Sequence, residues 1–225
     1  MKLTPKSYEF LKTLQDWSET LSDMSLNDLL SNDARNVAFV SVDLINGFCK
    51  EGMLSSPRVG AIGNKVAHIF AKAYKRGLRN FILIQDRHSK NSAEFDVFAP
   101  HCIGGTNEAE TIDELKKLEF FDEIKIFYKN SIDSAHCVEF NKFLELNPQI
   151  DTFVVFGNCT DICVYHLASH LKLSANEHNI KRNVIVPAKL VQTYDALSHD
   201  ADFYHLVFLN HLQFVADVTI VRNLH

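Results

Sequence analysis

Two thiols stand four residues apart in GNCTDICV, residues 157 to 164, directly after the apolar run DTFVVF. A cysteine becomes a nucleophile as its thiolate, and two features lower its pKa from about 8.5 to ~3.5–7.5: a helix N-terminus and a nearby cation. The spacing predicts both. With Thr160 as N-cap, Asp161, Ile162 and Cys163 are the first, second and third helical residues, so the sulfur sits among unpaired N–H groups. Lys129, ending the strand-like run IKIFYK, supplies a cation. Asp43, ending VAFVSVD, can take the thiol proton, and backbone N–H groups of the 157–163 loop can receive the oxyanion of an acyl-transfer step. The competing reading makes Cys163 a small, inert core residue. Cys159, ahead of the helix, contributes through its backbone alone.

The second constellation is QDRHSKNSAEFDVFAPHC, which holds Asp86, His88, Glu94, Asp96 and His101. Imidazole with carboxylate suits one divalent ion such as Zn, Fe or Mn, and a strand-end Asp-x-His can aim two ligands into one space. A solvated loop of ordinary polar residues is the alternative. His166 and His170 have helical i, i+4 spacing but lack the Glu of HExxH, so they read as core or surface histidines. His199, His205 and His211 fall in an aromatic-rich segment and read as packed or water-facing. Phe48 and Phe98 lie in loops beside the two constellations and can line a flat pocket.

These side chains need a scaffold that brings them together. Short β-branched or aromatic runs at 37–43, 80–86, 124–129, 152–157, 183–188 and 218–221 alternate with helix-period segments, the pattern of repeated βαβ units. The expected fold is α/β: a three-layer open sheet of about six mostly parallel strands with helices on both faces. Helical patterns cover 59–77, 109–121, 137–147, 160–178 and 195–215. In such sheets ligands bind beyond the carboxyl ends of the strands. Asp43, Asp86 with His88, Lys129 and the Gly157 loop all fall at that edge. Residues 1–33 lack a strand pattern and space Tyr8, Leu11, Leu14, Leu21 and Leu29 at helical intervals, so they read as a helical extension packed on a main domain of residues 34–225.

Composition narrows the partners. The 225 residues are 46% hydrophobic with a net charge of −5, and no basic run is interleaved with aromatics, so nucleic acid is not expected. MKLTPKSYEF turns polar too early for a signal sequence, and no apolar run reaches the roughly 18 residues of a membrane span. The expectation is a cytoplasmic protein without a membrane partner. Five cysteines, an odd number without a CxxC pair, read as reduced thiols.

Four segments, VSVDLINGF, IQDRHSKNSAEFDVFAPHCIGGTNEAE, IFYKNSID and FGNCTDICV, together resemble the isochorismatase-like cysteine hydrolases, and within them the nicotinamidases. The resemblance implies a catalytic triad of Asp43, Lys129 and Cys163. It also implies a cis peptide before Cys159, with the N–H groups of Cys159 and Cys163 as oxyanion hole. The implied metal ligands are Asp86, His88 and His101, with Glu94, seven residues before His101, binding directly or through water. The implied reaction is hydrolysis of nicotinamide to nicotinate and ammonia through a thioester, the pyridine ring held between Phe48 and Phe98 and by the metal. Homo-oligomers are common among such relatives. Ile45 stands where many nicotinamidases carry Gln, Phe98 where Trp is common, and Ile132 where the residue is often aromatic, which bears on pocket shape. The other readings are a related hydrolase of another small amide or of isochorismate, a metal-activated-water hydrolase, and a non-catalytic binding module.

Overall fold

Strands buried on both faces must be apolar at nearly every position, and the central strands of this chain are. In the computed structural model, which describes residues 2–225, a seven-stranded sheet is formed by β1 (Val37–Val42), β2 (Asn80–Asp86), β3 (Lys125–Lys129), β4 (Thr152–Asn158), β5 (Asn183–Pro187), β6 (Val191–Gln192) and β7 (Thr219–Val221). The order is β3-β2-β1-β4-β5-β7, every pairing is parallel, and β6 adds two residues beside the end of β4. Five longer helices accompany it: α1 (Pro5–Thr20), α2 (Gly63–Lys75), α3 (Val138–Leu146), α4 (Cys163–Glu177) and α5 (Ala201–Ala216).

Side chains alternate across each strand, so one face carries Phe39, Phe81 and Phe156 against Phe70 of α2, with ring centroids 5.0–5.9 Å apart. The other carries Val40, Ile82 and Val155 against Phe140 of α3, Leu167 of α4 and Leu209 of α5. Burying each such side chain contributes roughly 1.5–3 kcal/mol, which makes these two cores the main drive to fold. Among the described residues no helix is long and apolar enough to cross a membrane.

The sheet reverses direction of growth at β1, whose neighbours are β2 on one side and β4 on the other. That reversal opens a crevice at the carboxyl ends. Register does the rest. Asp86 pairs with Lys129, and Val42 pairs with both Ile84 and Gly157, so Asp43, Asp86, Lys129 and Asn158 end in one row.

Two expectations change. The 109–121 pattern yields only a single helical turn, Asp113–Lys116, and a 3-10 turn at Phe121–Glu123. The residues before it are tied to the sheet instead: Ile112 N–H donates to Leu44 O at 3.2 Å, and Gln85 Nε2 donates to Thr111 Oγ1 at 2.8 Å. In the N-terminal stripe, Leu14 and Leu21 are buried while Tyr8 and Leu11 are exposed. Trp17 meets Phe214 of α5 at 6.5 Å, and backbone bonds join Ser22, Met24 and Leu26 to Arg222, Asn223 and His225, so the extension is anchored from its far end.

Gly157 has φ +110°, and a Cβ there would lie 1.9 Å from Val42 O. Gly157→Ala should therefore lower Tm by roughly 5 °C or more, since left-handed backbone and collision with a neighbouring strand add. A thermal melt within about 1 °C of wild type would contradict this packing.

Candidate active site

The row of strand ends converges on one ammonium. Lys129 Nζ lies 2.9 Å from Asp43 Oδ2, donates to Asp86 Oδ1, and stands 3.6 Å from Cys163 Sγ. All four side chains are buried. Asp43 follows β1 with φ +55°, a turn that directs its carboxylate back over the sheet edge. Its Oδ1 accepts from Asp86 N–H at 2.8 Å, and Asn158 Nδ2 donates to its carbonyl at 2.6 Å. A carboxylate oxygen of Asp43, one of Asp86 and the sulfur of Cys163 lie within 4.8 Å of one another.

Burial dominates the electrostatics. It raises Asp43, with help from the Asp86 charge, to about 6 despite Lys129. Burial also pushes the Cys163 thiol well above its ordinary value, and the Asp43 and Asp86 charges add to that against the opposing Lys129 ammonium. Lys129 is raised, since the two carboxylates outweigh burial. Asp86 is pushed up by burial, yet Lys129 and His88 hold it below the usual range. These shifts run against the expected resting thiolate: burial favours the neutral thiol, which lies beside the Asp43 carboxylate.

The helix register also differs from expectation. Cys163 is the first residue of α4, with Ile162 as the preceding cap and no side-chain capping bond. Thr160 does not cap, because its hydroxyl donates to His205 Nδ1 at 2.8 Å and its N–H to Gln192 O at 3.1 Å. The Asn158–Cys159 peptide is cis. Among the described residues, neither Cys159 N–H nor Cys163 N–H has a backbone acceptor. Two donors are therefore available beside the sulfur.

Asp86 joins this group to the second. Its Oδ2 is 3.5 Å from His88 Nε2, which lies 3.6 Å from Glu94 Oε1, which in turn is 3.8 Å from His101 Nε2. Ligand atoms from all four residues fall within 4.8 Å of one another, while Asp96 stands outside on the exposed side of its turn. The sheet edge supplies His88, and a backbone bond from His88 N–H to Cys102 O at 3.0 Å brings in His101. Glu94 is held by Ile132 N–H donating to its Oε2 at 3.1 Å. His101 Nδ1 donates to Ala99 O at 2.8 Å and His88 Nδ1 to Asn130 Oδ1 at 3.3 Å, which leaves both Nε2 lone pairs turned inward. His88 Nε2 is buried without a hydrogen-bond partner. Asp43, Asp86 and Glu94 carry more negative charge than Lys129 neutralises. An inward lone pair with no donor and an excess of two negative charges fit a divalent cation.

Above both groups is a cavity of about 340 Å³ lined by Phe48, Phe98, Ile132, Ile162, Tyr194 and Cys163. Phe48 and Phe98 flank His101, with ring centroids 5.6 and 6.3 Å from its own. The residues that escaped sequence reasoning are Asn158, Asn130 and Tyr194. An Asn beside a strand end carries a weak signal; Tyr194 carries none, because it reaches the cavity only through the connection after β6.

The isochorismatase domain model matches residues 37–220. Nicotinamidase 1 of Arabidopsis thaliana is 31% identical over 187 residues, covering 77% of this chain and 76% of that protein. The chain belongs to the isochorismatase family. Among solved structures, the pyrazinamidase/nicotinamidase of Streptococcus mutans superposes with a TM-score of 0.67 at 26% identity, covering 82% of this chain and 99% of that one. The pyrazinamidase of Pyrococcus horikoshii in complex with zinc shares the fold, with a TM-score of 0.67 at 20% identity over 83% of this chain and 98% of that one. This family member is thus a nicotinamidase-like hydrolase with one rim of ionisable groups as its candidate centre.

If Asp43 is the proton acceptor, it must be ionised. Because its pKa is raised to about 6, kcat/KM should be constant above that pH and fall about tenfold per unit below it. A pH–rate profile flat down to pH 5 would remove Asp43 from that role.

Proposed function

We propose that the chain hydrolyses nicotinamide to nicotinate and ammonia, with Cys163 as nucleophile. The observation that carries this reading is the meeting of Asp43, Lys129 and Cys163 around one buried ammonium. Asp43 takes the Cys163 proton, and the sulfur attacks the carboxamide carbon. The resulting oxyanion is received by the N–H groups of Cys159 and Cys163, a kind of donor worth roughly 2.7–4 kcal/mol of barrier each. Asp43 then returns the proton to the departing nitrogen, which leaves as ammonia, and a bond between sulfur and carbonyl carbon remains. Water, deprotonated by Asp43, attacks that thioester and releases nicotinate and the thiol. Lys129 holds Asp43 in place and balances its charge throughout.

Phe48 and Phe98 support a flat aromatic ring over the sulfur, and this fixed geometry is the main gain from binding. A divalent ion held by Asp86, His88, His101 and Glu94 would supply an electrophilic anchor for the pyridine nitrogen. Zinc fits the two-imidazole, two-carboxylate donor set, as iron and manganese do.

Cys163→Ala should abolish ammonia release from nicotinamide, by on the order of 10⁴-fold or more, with an unchanged melting curve. Retained turnover would favour a metal-activated-water hydrolase, and wild-type inactivity on nicotinamide with activity on another small amide or on isochorismate would move the substrate within the family. Chelation should lower nicotinamide kcat/KM while iodoacetamide still alkylates Cys163 at an undiminished rate. Undiminished hydrolysis in metal-free protein would remove the ion from substrate positioning.

A further inference from the structure

His199 is buried, whereas the residues on both sides of it, Asp195–Ser198 and Asp200, are exposed. A polar side chain drawn inward from an exposed loop needs partners. Its Nδ1 lies 2.9 Å from Tyr194 O and its Nε2 lies 2.8 Å from Asp161 Oδ2. Both partners are acceptors, so the Asp161 carboxylate is met by a donor when the ring proton is on Nε2. Tyr194 and Tyr204 stack on its two faces at 3.9 and 4.1 Å, within 13° of parallel, which fixes the plane of the ring. The other charged groups lining the adjoining recess are Asp195, Asp200, Asp202 and Arg58, and Arg58 is paired with Asp202 at 2.6 Å.

Asp161 sits in the loop between Cys159 and Cys163. Its side chain is 6% exposed, and its Oδ1 has no hydrogen-bond partner, so His199 is what compensates its charge. The preceding residue is held in parallel, since Thr160 donates to His205, which burial lowers to about 4 and keeps neutral as an acceptor.

We propose that His199 is a positioning residue, clasping the loop that bears the Cys159 and Cys163 N–H donors through a hydrogen bond from its Nε2–H to Asp161. It touches no substrate. It acts by fixing donors whose misplacement by an ångström costs up to about 100-fold in rate. As a statement about catalysis it rests on the thiol mechanism proposed above.

The test uses the full chain with two substitutions of opposite character. His199→Phe keeps an aromatic ring between Tyr194 and Tyr204 but removes the donor to Asp161. His199→Gln gives up the ring but keeps a donor for Asp161. Clasping predicts that His199→Phe loses about 10-fold or more in kcat for nicotinamide with KM within about 3-fold, and that His199→Gln retains more kcat than His199→Phe. The reverse order, or a raised KM with kcat within about 2-fold of wild type, would overturn the proposal and make His199 a packing element of the cavity wall. Should His199→Phe not fold, the His199→Gln, Asp161→Ala pair decides: the advantage of Gln over Ala at position 199 must vanish when Asp161 is Ala, and its persistence refutes the clasp. One readout needs no substrate. In ¹⁵N-histidine spectra, His199 Nε2 should appear protonated in wild type, with that proton lost from slow exchange in Asp161→Ala. An unprotonated Nε2 in wild type would overturn the proposal even if nicotinamide proves to be the wrong substrate.

Discussion

A lysine ammonium enclosed between two carboxylates organises this protein's functional edge. Lys129 Nζ has Asp43 on one side and Asp86 on the other, with every member of the trio buried. Such a cluster adds little to stability, because desolvating three charges costs about as much as their attraction returns. It does set orientation. Removing Lys129 would leave two uncompensated carboxylates inside the protein, and moving either carboxylate off the ammonium gives up its compensation, which holds Asp43 toward Cys163 and Asp86 toward His88.

Asp86 divides its two oxygens between the two halves of the site. One accepts from Lys129, and the other faces His88 and the inward-turned lone pairs of the histidine group. Charge at either half is therefore felt at the other across one side chain. The same enclosure that raises Asp43 to about 6 also pushes the Cys163 thiol above its ordinary value, so both shifts come from one cause, exclusion of water. The sheet makes this possible at low cost, because parallel strands in register end together and the reversal of strand order at β1 leaves their ends open to a ligand.

Loops from distant parts of the chain complete what the strands begin. Residues 193–200 form one wall of the cavity and also reach the 158–163 loop through His199 and Asp161. Asn130 and Ala99 do the equivalent for His88 and His101, fixing which nitrogen of each ring faces inward. For these two rings a neutral acceptor outside the centre fixes which nitrogen faces it.

The strands, their parallel order as βαβ units and the residues at their carboxyl ends were legible in the sequence. Apolar period and strand-end position are local properties, and in a parallel sheet they dictate which side chains share an edge. Helical periodicity proved less secure where tertiary bonds competed, as at Thr111 and Ile112; in the N-terminal stripe the helix forms over Pro5–Thr20, but Tyr8 and Leu11 stay exposed while Leu14 is buried. The offset of Cys163 from third to first helical residue had the same origin, since Thr160 bonds to His205 rather than to its own helix. By itself, then, the sequence determined the sheet, its edge and the residue types delivered there, because alternation and strand ends need only near neighbours. Protonation states, the pairing of Asp86 with Lys129, the turn of each histidine and the clasp on Asp161 were decided by tertiary structure alone, because burial and hydrogen-bond geometry depend on groups that meet only after the chain has closed.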